Sequence, residues 1–211
     1  MDANAIYAAA AVNRRAMADL LEGLTPEQLA TPSLCGDWDV QTVGAHLASA
    51  ITTSTPHFLV ELIRNRGSFD RANASVAIKE ARNGAPATIA KIRANADSHF
   101  TPPITGPRAP LTDVIVHTGD IARPLGLPHD APAEHVRTAL EFLTAGRPIA
   151  FVRGGTLSGL QFVADDLDLT MGDGEEVHGR GIDIVMAMCG RTSALADLTG
   201  PGVDLLRTRF R

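Results

Sequence analysis

The chain has 211 residues, 45% of them hydrophobic and 20% charged, with a mean hydropathy of +0.04. This is enough for one substantial core, or for a core plus a small second domain. A formal net charge of -5 without any Lys/Arg cluster argues against nucleic-acid binding, and no apolar run approaches the roughly 18 residues of a membrane span.

From the N-terminus, "MDANAIYAAAAVNRR" places its charges after the apolar run, the reverse of a secretory signal, so the expected location is cytoplasmic. Residues 5–22 read as a helix stopped by Gly23. "TPEQL" follows, with Thr25 as N-cap, Pro26 in the first turn and Gln28 completing a capping box. After "SLCGDWD" a helix starts at Val40, breaks at Pro56 and resumes to about Arg66. Residues 70–82 and 86–99 form two more helical stretches, and "TPPITGPRAP" reads as a loop. A helix over 113–124 and another from Pro132 to Leu143 complete the run.

Near Gly146 the pattern changes. "TLSGLQFVA" and "LDLTMG", separated by Asp165 and Asp166, predict a β-hairpin, and "GIDIVMAMCG" a short helix that is apolar all round. The expected architecture is mainly α: an antiparallel four-helix bundle over 1–145, then a small α+β domain over 146–211. The two cysteines, Cys35 and Cys189, are far apart and have no zinc-finger spacing, so both are expected as free thiols. Cys35 sits in a loop without an evident histidine partner. Only Lys79 and Lys91 are lysines; the other 17 basic residues are arginine.

Two helices carry polar residues on otherwise apolar faces. His46 shares one face with Val43, Leu47 and Ala50, so it points inward. A buried imidazole left unsatisfied costs about 1–3 kcal/mol, so it needs a partner. In "DVIVHTGDIARPLG", Asp113 and His117 lie roughly 40° apart around the helix and Asp120 roughly 20° from Asp113. Two imidazoles and a carboxylate would hold a divalent cation with positions left open, the pattern of a catalytic rather than a structural site. Asp120 would orient an imidazole N–H or serve as a fourth ligand. A satisfied polar contact inside a bundle is the alternative. His57, His99, His129, His135 and His178 are expected at the surface.

"SLCGDWDVQTVGAHLA" and "DVIVHTGDIARPLGLP" together resemble the DinB-like superfamily, in its mycothiol-dependent maleylpyruvate isomerase branch. The matching positions are Ser33, Cys35 and Trp38; His46; Asp113, His117 and Asp120; and Leu125, Gly126 and Pro128. "GRGIDIVMAMCGR" resembles the short C-terminal domain of that branch. The resemblance implies an actinobacterial enzyme with a divalent metal, usually zinc, at His46, Asp113 and His117. Its co-substrate would be mycothiol, a sugar thiol used for S-transfer to, or isomerisation of, a small electrophile. The family's acidic ligand is Glu where this chain has the shorter Asp113. No internal nucleophile is evident, and the catalytic groups stay unassigned. Arg153 and Arg191 are candidates for binding an anionic substrate. A metallohydrolase with Asp120 as base and a non-enzymatic metal- or small-molecule-binding module are the competing readings.

Overall fold

The computed structural model describes residues 1–101, 105–145, 148 and 150–210. Gly146 and residues 102–104 of the expected loop fall outside them. The helices are α1 (Ala3–Glu22), α2 (Pro26–Leu29), α3 (Val40–Thr52), α4 (Thr55–Arg64) and α5 (Phe69–Ala81). There follow α6 (Ala85–Ala94), α7 (Arg108–Ala122), α8 (Ala133–Thr144), α9 (Gly181–Met188) and α10 (Gly202–Thr208). Strands β1 (Leu160–Ala164), β2 (Leu169–Gly172) and β3 (Glu175–Gly179) lie between α8 and α9. The fold is mainly helical, a bundle followed by a small α+β part, as the sequence predicts. Among the described residues no helix is long and apolar enough to cross a membrane.

The chain divides into two contact units. One comprises Tyr7–Phe100 and His117–Pro128; the other comprises Met1–Ile6, Thr101–Val116 and His129–Arg211. In the first, α1 buries Ala10, Arg14, Met17 and Leu21 along one helical stripe. Gly44 brings α3 close to it, because a Cβ there would lie 2.9 Å from Leu21 Cδ1. Buried Arg14 donates to the carbonyls of Ala96 and Ser98, each at 2.8 Å. Its charge therefore sits at the electronegative end of α6, where a helix favours a cation. The predicted caps are present: the Thr25–Gln28 box closes α2, and Asp39 accepts the Thr42 N–H at 2.7 Å to start α3.

Glu61 on α4 is nearly inaccessible, at 1% side-chain exposure, and ties its helix to α5. It accepts from Lys79 at 2.8 Å, Ser75 at 2.9 Å and Arg64 at 3.0 Å. Those hydrogen bonds, that from Lys79 foremost, hold its carboxyl at a pKa of about 2 against an ordinary 4.5. The other lysine, Lys91 on α6, pairs with Glu80 at 2.6 Å. A lowered folded-state pKa gives stability that is complete above pH 4.5 and lost as pH falls towards 2. Glu61→Gln is therefore expected to lower the melting temperature at pH 7 and to flatten its decline between pH 5 and 2. Thermal scans across that range check this; parallel profiles for the two proteins would contradict it.

Three helix boundaries differ from the sequence expectation: the break expected at Pro56 falls earlier, α3 ending at Thr52 and Pro56 lying in the first turn of α4. α6 stops at Ala94 rather than 99, where Asn95 turns its side chain back onto the Lys91 carbonyl at 2.9 Å. α7 starts at Arg108 rather than 113. Pro110 is tolerated there because a first-turn residue has no intrahelical N–H partner to lose.

In the other unit the predicted hairpin is present: β1 and β2 pair antiparallel, with Ala164 opposite Leu169. Asp166 at the turn accepts the Gly181 N–H at 2.7 Å, fixing the start of α9. The sequence reading missed β3, which pairs parallel to β1 and gives the order β2-β1-β3. The link Asp173–Gly174 wraps the start of β1, and Glu175 N–H donates to the Gly159 carbonyl at 3.0 Å. Gly174 has φ +134°, and a Cβ on it would fall 2.2 Å from the Gly159 carbonyl carbon. Every residue of α9 is buried, as its composition predicts, and Val136 and Leu140 of α8 line its first residue.

Candidate metal centre

The loop between α2 and α3 is built by local hydrogen bonds. Thr31 and Val40, then Ser33 and Trp38, pair across it, and Trp38 N–H donates to the Cys35 carbonyl at 3.3 Å. Gly36 takes φ +60° at the first central position of that turn, where a side chain would be strained. The Leu34 N–H donates to the Asp120 carbonyl at 3.2 Å, which fastens the loop to the end of α7. Trp38 is thereby laid against His46, ring centroids 5.3 Å apart.

His46 on α3 and His117 on α7 are both buried, each 9% exposed, and meet edge to face at 4.8 Å between centroids. Asp120, fully buried, takes the other side of His117: its Oδ2 lies 2.9 Å from Nδ1. With the carboxylate ionised, Nδ1–H donates to Asp120 and Nε2 keeps the lone pair. Asp113 sits one turn before His117 on α7. One ligand atom each of His46, Asp113 and His117 lies within 4.8 Å of the other two. In tetrahedral zinc sites such donors are about 3.4 Å apart, so two imidazoles and one carboxylate in this arrangement fit a divalent cation. Asp113, one methylene shorter than a glutamate, brings a carboxylate oxygen to the cluster.

Two expectations are corrected. Cys35 does have a histidine neighbour: its Sγ, a nitrogen of His117 and an oxygen of Asp120 lie within 4.8 Å of one another. Spacing could not show this, since the Leu34–Asp120 backbone contact sets the loop's position. His129 is buried rather than at the surface, with Nε2 3.0 Å from the Ile115 carbonyl. His57 and His99 are exposed as expected, His99 stacking on Tyr7 at 4.2 Å. His135 and His178 are intermediate in exposure. Burial pushes the His135 imidazole pKa down, whereas hydrogen bonds to Glu176 and Asp165 push that of His178 up. Arg153 is exposed and Arg191 donates to the Cys189 carbonyl at 2.7 Å; both belong to the sheet-bearing unit.

Fold and cluster together define a class: a helical-bundle protein with a histidine–carboxylate–histidine cluster in which both histidines are buried and the carboxylate half-buried. Residues 10–101 match the family model described as "Mycothiol maleylpyruvate isomerase N-terminal domain". Over those residues the chain is similar to that domain. Among solved structures it is similar to a mycothiol-dependent maleylpyruvate isomerase, with 18% identity, a TM-score of 0.62, and coverage of 95% of this chain and 93% of that one. A histidine-to-alanine mutant of such an isomerase matches over the same shares at 18% identity and a TM-score of 0.61. At this identity the likeness is one of fold. No curated protein matches the chain.

Proposed function

We propose that this protein is a cation-dependent enzyme, zinc being the cation, that uses a mycothiol-type low-molecular-weight thiol on a small electrophilic substrate. Isomerisation and S-transfer are the two outcomes open to such chemistry. The observation that carries the reading is the convergence of His46, Asp113 and His117 in a chain whose residues 10–101 match that domain. A divalent cation held by these three would lower the pKa of a thiol bound to it, making thiolate available near neutral pH. His46 and Asp113 supply one nitrogen and one oxygen donor. Asp120 holds the His117 ring and its tautomer, leaving the Nε2 lone pair to serve as the donor. Trp38 shields one side of His46 from water.

Asp120 is a poor general base for a hydrolase, because it is fully buried and bonded to His117. This favours the thiol-dependent reading. Arg153 and Arg191 are proposed for an anionic substrate group, a role suited to guanidinium. Neither cysteine is joined in a disulfide, as a reducing setting favours.

The test combines protein, zinc, mycothiol and maleylpyruvate, with a reactive electrophile as second substrate. Turnover is expected only with both thiol and cation, with loss on chelation and recovery on adding zinc back. Equal rates without thiol, or from cation-free protein, would overturn the proposal.

A further inference from the structure

We propose that Cys35, His117 and Asp120 form a second cation position, giving a thiophilic divalent ion a sulfur ligand from the chain itself. It goes beyond the thiol-dependent reading and stands without it. One sulfur, one nitrogen and one oxygen donor lie within 4.8 Å of one another, all inside a single contact unit. Zinc–sulfur and zinc–nitrogen bonds of about 2.3 and 2.0–2.1 Å put such donors roughly 3.6 Å apart, so small side-chain movements close the set. Cys35 is free and half-buried.

Asp120 Oδ2 lies 2.9 Å from Nδ1 of His117, and His117 is the residue this group has in common with the His46–Asp113 group. A neutral imidazole has a single lone pair to give. The two positions therefore share His117 and fill alternately. When the sulfur-containing one fills, the Cys35 thiol proton passes to solvent and the His117 proton moves from Nδ1 to Nε2. Asp120 changes from hydrogen-bond acceptor to ligand. Thiolate ligation selects soft or borderline ions such as cadmium, zinc and cobalt over magnesium.

The experiment loads the full chain with cobalt(II) and records the near-ultraviolet spectrum, where thiolate-to-cobalt charge transfer absorbs and a nitrogen–oxygen site does not. The wild type is expected to show the band. Cys35→Ser and His117→Ala should lose it, whereas His46→Ala and Cys189→Ser should keep it. Cadmium affinity should fall at least about tenfold in Cys35→Ser. Cys35→Ala and circular dichroism serve as folding controls. The proposal fails if cobalt does not bind, binds without the band, or gives a band that survives Cys35→Ser or vanishes with Cys189→Ser. The His46→Ala protein separates the two ideas, since it removes a donor of the first cluster and none of the second.

Discussion

His117→Ala protein is expected to purify without the near-stoichiometric zinc expected of the wild type, and with its helical content intact. His117 is the donor common to both three-residue groups, so its loss leaves neither complete. The affinity should fall well beyond the roughly 10–100-fold cost of removing an outer partner of a ligand. Asp120→Asn should show that smaller loss, because it keeps the volume while weakening the acceptor at Nδ1. Elemental analysis of the purified proteins, with competitive chelator titrations, measures both. Equal zinc in wild type and His117→Ala would remove the ligand assignment, and with it the thiol-activating chemistry. Asp113→Glu, which keeps the carboxylate, is expected to bind zinc as the wild type does.

The largest effect on stability is expected from Gly174→Ala. Its Cβ would lie 2.2 Å from both the carbonyl carbon and the oxygen of Gly159, and the backbone there has φ +134°. Those are main-chain atoms at the point where the β2–β3 link rounds β1, so no side chain can give way. Strain and clash together should cost about 3 kcal/mol or more, or roughly 6–12 °C in melting temperature for a chain of this size. Gly154→Ala is the control: nothing lies within 4 Å of its Cβ position. Calorimetry of the two variants against wild type tests the contrast, and similar small shifts in both would refute it.

The parts of the fold that sequence reveals are those encoded locally. Thr25, Gln28 and Asp39 announce their helices because a cap depends on residues two or three positions away. Asp113 and His117 share a face through helical geometry alone, and His46 points inward by the period of its apolar neighbours. β3 was hidden because its partner is β1, not the adjacent β2, and its burial does not alternate cleanly. Cys35 was hidden for a similar reason: one long-range backbone bond, Leu34 to Asp120, decides what the loop faces. His129 looked like a surface residue from its polar surroundings, yet a tertiary acceptor at Ile115 makes its burial affordable.

The scarcity of lysine has a practical outcome. Lys79 and Lys91 lie within α5 and α6, and each is held by a carboxylate. A lysine-specific endoprotease therefore has two internal addresses in the chain, both in the contact unit that contains His46 and His117. Scission there requires helical backbone to open first. The rate of digestion thus measures how often this half of the molecule loosens, and the sheet-bearing half, lacking any lysine, is silent in that readout.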